Sequence, residues 1–141
     1  MNEKEKHFEG KVNQNAIVTT RGGSRVLIVR DVQDADLWEL PGGRLNQGES
    51  PTDGIRRELL EELGVEVEVG RIYHTQYLWH ERDQRENLLL MYEVFVPSED
   101  INFNLESDEL AEVKWVDKNS YKEIPMYKDT RESLDAYFNL Q

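Results

Sequence analysis

The chain has 141 residues, 38% hydrophobic and 33% charged, with 29 acidic against 17 basic side chains and a formal net charge of −12. That length suits one domain with a real core, while the negative field disfavours generic nucleic-acid binding and anionic membrane surfaces. The absence of cysteine excludes disulfides, thiolate metal sites and cysteine nucleophiles.

Met1 to Gly10 is polar and reads as a flexible N-terminal end, with residues 11–141 as one domain. No apolar signal core is visible in Met1 to Lys11, and no run of about 18 apolar residues occurs, so a cytoplasmic protein is the expectation. Ala16 to Thr20 and Arg25 to Arg30 are apolar and β-branched. Arg21-Gly22-Gly23-Ser24 reads as a turn between them, which predicts a hairpin. Leu37 to Leu40 is a short strand candidate that stops at Pro41-Gly42-Gly43.

Ser50 to Leu63 carries the clearest helix signals. Ser50 is a natural N-cap, Pro51 takes the first helical position, and Asp53 falls where a capping-box acid would. Gly64 closes the helix as the residue after its C-terminal cap. Gly54 inside the helix costs about 1 kcal/mol relative to Ala, which points to close packing against that face. Val65 to Leu78 and Asn87 to Val96 read as long strands joined by the charged stretch His80 to Glu86. Val113 to Val116 is a further strand. Met126 to Leu140 is a final amphipathic helix with Leu134, Tyr137 and Phe138 on one side. Strands, a central helix, more strands and a helix predict an α/β fold with a mixed sheet between helices.

At about 100° per residue, with Ile55 at zero, Leu59, Leu63 and Leu60 fall at about 40°, 80° and 140° and form the predicted buried stripe. Glu62, Glu58 and Glu61 fall at about −20°, −60° and −120°. Three carboxylates thus share an arc beside the apolar face. Like charges at these spacings repel and call for a positive partner. Clustered carboxylates suit hard cations such as Mg²⁺ or Mn²⁺. The competing reading is a solvated acidic face paired with Arg56 and Arg57.

The wider spacing decides between them. Gly43, five residues, Glu49, seven residues, then Arg57-Glu58-Leu59-Leu60-Glu61-Glu62-Leu63-Gly64-Val65 resembles the Nudix box in all seven fixed identities and both apolar positions. At about 7% usage per residue type, chance agreement at one start is of order 10⁻⁸.

The resemblance implies a Nudix-type α/β/α sandwich and an enzyme that hydrolyses a pyrophosphate bond by attack of water on phosphorus. It implies a nucleoside diphosphate-linked or nucleoside triphosphate substrate and Mg²⁺ or Mn²⁺ as cofactor. Carried onto this chain, it makes Glu58, Glu61 and Glu62 metal ligands, joined by the carbonyl of Gly42. Glu49 and Arg57 become a supporting pair. Glu109, in the acidic stretch Glu106 to Leu110, becomes a further ligand or general base, with Glu106, Asp108 and Glu112 as competitors. The physical logic agrees, because metal ions offset phosphate charge and lower the pKa of a bound water.

Arg30 and Arg44 are the basic residues nearest the metal segment in sequence and are the candidates for substrate phosphates. Trp79, Tyr73 and Tyr77 are candidates for stacking a base, and Trp38 is expected to pack. His7, His74 and His80 show no metal spacing. His80-Glu81-Arg82, beyond the box, lacks the residues that mark several Nudix subgroups, which leaves a nucleoside triphosphate, oxidised or not, as the expected substrate. The alternatives are a non-catalytic nucleotide-binding Nudix domain and an RNA 5′-end pyrophosphohydrolase; the acidic surface disfavours the second. The family resemblance also allows a homodimer.

Overall fold

The computed structural model describes residues 6–33, 36–105 and 110–139. In chain order its elements are β1 (Gly10–Thr19), β2 (Val26–Asp31), β3 (Trp38–Glu39), β4 (Gly42–Arg44), α1 (Pro51–Leu63), β5 (Glu68–His80), β6 (Arg85–Phe95), β7 (Leu110–Val116), a 3₁₀ turn (Ser120–Glu123) and α2 (Lys128–Asn139). The strands form one mixed sheet. β1 runs parallel to β6 from Gly10↔Glu86 to Thr19↔Phe95, while β1–β2, β2–β7 and β5–β6 are antiparallel.

The predicted hairpin is present, with Val18 opposite Leu27, but β1 starts well before Ala16. The sheet opens between its two strands. At Asn13 to Asn15, β1 pairs instead with β4, and at Val29 and Arg30, β2 pairs with β3. The segment from Trp38 to Arg44 therefore fills the split, and the Ala16 amide donates to the Pro41 carbonyl at 2.9 Å. β4 has no strand signal of its own; its two glycines pair only because β1 offers an open edge there.

Burial on both faces explains the continuous apolar runs of β1 and β2. Ala16, Val18, Leu27 and Val29 face a cluster with Ile55, Leu59 and Leu63 of α1. Ile17, Val26 and Ile28 face the other way, onto Trp38, Leu134 and Tyr137. One helix thus covers each face of the sheet. Leu60 corrects the expected stripe: it is 52% exposed, whereas Ile55, Leu59 and Leu63 are fully buried. At about 140° it lies past the edge of the apolar arc. No described helix is long and apolar enough to cross a membrane.

Candidate active site

α1 begins and ends as its sequence directs. The Ser50 hydroxyl accepts from the Asp53 amide at 3.2 Å, and Gly64 sits at φ +68° with its amide on the Leu60 carbonyl. Gly54 lies against β1: a Cβ there would stand 2.4 Å from Gln14 Oε1 and 2.8 Å from Leu45 Cδ1. Gln14 is fully buried and donates to the Pro51 carbonyl at 2.7 Å and to the Tyr92 hydroxyl at 3.2 Å. The helix start is thereby fastened to the central strand, which sets where its later carboxylates fall.

Two of those carboxylates lean on β4. The Gly42 amide donates to Glu62 Oε2 at 3.2 Å. The Glu58 carboxylate lies over Gly43 so closely that a Cβ there would be 2.3 Å from Glu58 Oε2. A side chain at Gly43 would therefore displace the Glu58 carboxylate from this position. Glu61 is exposed.

The positive partner that the carboxylate cluster calls for is Arg57. Its Nε donates to Glu49 Oε2 at 2.6 Å and its Nη2 to Glu49 Oε1 at 3.1 Å. Nη1 reaches Glu58 at 2.9 Å and Glu61 at 3.3 Å, and Nη2 also reaches the Arg44 carbonyl at 3.1 Å. The Asn46 amide adds a bond to Glu49 at 3.0 Å. The hydrogen bond from Arg57 holds the Glu49 carboxyl below the usual carboxylate range, with the Asn46 amide second. The same bond raises the Arg57 guanidinium above its ordinary value. Arg56 pairs at 3.7 Å with Asp53, away from this network.

Among the described residues, no three Asp, Glu or His side chains converge closely enough to hold an ion as they stand. The donor set nonetheless suits one. It is all oxygen, and two carboxylates gather over a glycine backbone with no Cβ to block them.

The remaining candidates separate. Arg44 is exposed on β4. Arg30 pairs with Glu112 across the β2–β7 ladder, Nε to Oε1 at 2.9 Å. Glu109, Glu106 and Asp108 lie outside the described residues. Trp38 packs as expected, 6% exposed. Tyr73 sits edge-on to Tyr137 at 5.5 Å, and burial pushes its hydroxyl up. Tyr77 and Trp79 are exposed.

A cleft missed by the sequence reading adjoins the site. It has a volume of about 250 Å³ and shares Gly42 and Gly43 with the carboxylate cluster, while Asn13, Asn15, Glu39 and Asp129 line its other walls. The alternation of Asn13 and Asn15 within a strand was the available signal.

The NUDIX domain model matches residues 11–137. The chain belongs to the Nudix family. It is 28% identical over 128 residues to the CTP pyrophosphohydrolase of Escherichia coli, covering 89% of this chain and 90% of that protein. It is 41% identical over 51 residues to a putative 8-oxo-dGTP diphosphatase of Bacillus subtilis, 36% of this chain and 34% of that protein. The fold matches the solution structure of the Escherichia coli ORF135 protein with a TM-score of 0.76 at 24% identity, over 94% of this chain and 91% of the other. Nudix membership makes the chain a pyrophosphohydrolase of nucleotide substrates, in a family that generally uses divalent metal ions.

Proposed function

We propose that this Nudix enzyme cleaves a nucleoside triphosphate to the monophosphate and pyrophosphate, with Mg²⁺ or Mn²⁺ held by Glu58, Glu61, Glu62 and the Gly42 carbonyl. One observation carries this reading: the Glu58 and Glu62 carboxylates meet over the Gly42–Gly43 backbone. When bound, a divalent ion offsets phosphate charge and lowers the pKa of a coordinated water. Arg57 fixes Glu58 from one side and Glu49 from the other, so Glu49 and Arg57 are positioning residues. Arg44 is the assigned phosphate contact. Arg30, paired through its Nε with Glu112, has the same assignment. Glu109 keeps its role as general base on sequence position alone. Residues 11–141 form the Nudix domain, and the relatives that act on CTP or on 8-oxo-dGTP support the triphosphate class.

The test is turnover of a nucleotide panel with Mg²⁺ and with Mn²⁺, using wild type and the double variant Glu61→Gln/Glu62→Gln. The variant should lose at least about 100-fold in kcat, more than removal of a supporting residue costs. Its metal-free melting temperature should hold or rise, because two repelling charges are gone. Its melting temperature should no longer climb with added metal. Equal turnover by the two proteins would remove the metal-site assignment.

A further inference from the structure

The three exposed aromatic rings among the described residues, Phe8, Tyr77 and Trp79, are not scattered. At 43%, 59% and 48% exposed, they line one open groove of about 1000 Å³. Single exposed apolar residues are ordinary on a surface, but a contiguous group marks a place of contact. Tyr77 and Trp79 lie two apart in β5 and so share one face of the sheet. Across the ladder they stand opposite Leu88 and Glu86 of β6, and Gly10 of β1 sits in register with Glu86 on its other side. The groove shares no lining residue with the carboxylate site or with the cleft beside Gly42.

Glu86 ties the groove together. Its Oε1 accepts from the Tyr77 hydroxyl at 2.9 Å and its Oε2 from the Glu9 amide at 2.8 Å. Glu9 adds a second carboxylate to the lining. Lys6 and His7 line the groove too, yet neither carboxylate is ion-paired among the described residues. Aromatic faces attract a cation, and carboxylates bind one by charge-assisted hydrogen bonds. Arginine meets both demands, because its guanidinium stacks flat on a ring and presents a fork of N–H donors. The net charge of −12 steers a basic partner towards this surface. It opposes the other occupants. A second copy brings another −12, and a nucleic acid brings phosphates against Glu9 and Glu86.

The backbone beside the groove is open as well. β5 ends the sheet and pairs with β6 alone. That pairing is irregular between Val69 and His74 and regular from His74 to His80. Edge strands are commonly guarded by charges, whereas Ile72 to His80 contains no Asp, Glu, Lys or Arg. An extended segment can add to this edge through main-chain hydrogen bonds, which places its alternate side chains on the Tyr77–Trp79 face.

We infer that the outer edge of β5 receives an extended, arginine-bearing segment of a basic partner protein, with a guanidinium over Tyr77 and Trp79 and against Glu86. This interaction surface stands independently of the hydrolase reading.

The probe is the capped heptapeptide Thr-Arg-Thr-Arg-Thr-Arg-Thr, compared with its Lys and Glu counterparts. Each is titrated into the full chain and followed by calorimetry and amide NMR shifts. The Arg peptide should bind about tenfold more tightly than the Lys peptide, and the Glu peptide should not bind. Its shifts should centre on Thr75 to His80 and Gly10. Tyr77→Ala/Trp79→Ala leaves the net charge unchanged and should weaken the Arg peptide by about tenfold or more, with circular dichroism reporting the fold. Glu86→Gln keeps both rings and should weaken it as well, so it decides the matter if the double variant does not fold. Equal affinity in wild type and variants, or Arg and Lys peptides bound alike, reduces the binding to bulk charge attraction and overturns the inference. Sedimentation of the protein alone supplies the last arm: a dimer that the double variant or Glu86→Gln abolishes gives the groove to a second copy and overturns it too.

Discussion

The Arg57 guanidinium grips the Glu49 carboxylate with two bonds, Nε to Oε2 at 2.6 Å and Nη2 to Oε1 at 3.1 Å. A third nitrogen remains for Glu58 and Glu61. One planar cation therefore ties the loop before α1 to two of the proposed metal ligands. Arg57→Lys should lower kcat by about 10- to 100-fold, the range for removing an outer support of a metal site. A single ammonium cannot span these partners at fixed angles. Circular dichroism should show the fold retained while steady-state kinetics show the loss.

The same pair predicts a pH dependence of stability. Arg57 lowers the folded-state pKa of Glu49 below its ordinary value of 4.5. Its contribution is therefore complete at pH values above the ordinary value. It is lost as pH falls through the lowered folded-state value. Urea denaturation midpoints measured between pH 7 and pH 3 should fall more steeply for wild type than for Glu49→Gln. Parallel curves would show that the pair adds nothing to folding.

Gly54→Ala sets two effects against each other. Helix propensity favours Ala by about 1 kcal/mol, but the new Cβ would lie 2.4 Å from Gln14 Oε1 and 2.8 Å from Leu45 Cδ1. Both neighbours sit under the helix start, so crowding should win, with a net loss of about 1–3 kcal/mol. Denaturant unfolding would measure it, and a stabilised variant would mean that the helix lifts off β1 without penalty.

Neighbouring leucines of α1 should respond differently. Leu59 is fully buried and Leu60 is 52% exposed. Leu59→Ala should cost about 2–5 kcal/mol, and Leu60→Gln should stay within about 0.5 kcal/mol of wild type. Similar losses at both positions would place Leu60 in an interface formed in solution, and sedimentation would then reveal the assembly.

Local signals made much of this protein readable from its sequence. Ser50, Pro51 and Gly64 delimit α1 by backbone chemistry that acts within a few residues. The spacing from Gly43 to Val65 named the family and the carboxylates, because their positions along one helix follow from its pitch. The apolar runs of β1 and β2 marked strands buried on both faces. What the tertiary structure alone decided depends on partners distant in sequence. β4 is a strand only because β1 and β2 part and leave an edge for Gly42 to Arg44. Glu58 and Glu62 meet the Gly42–Gly43 backbone only because Gln14 and Gly54 set α1 against β1. Arg30 stands opposite Glu112 through the β2–β7 register. Asn13, Glu39 and Asp129, from three separate elements, share a cleft through the packing of α2 on the sheet. A linear pattern records which groups are available and how a helix spaces them, but the energy of crossing a sheet or filling its split belongs to contacts between segments, and those contacts chose the geometry of the site.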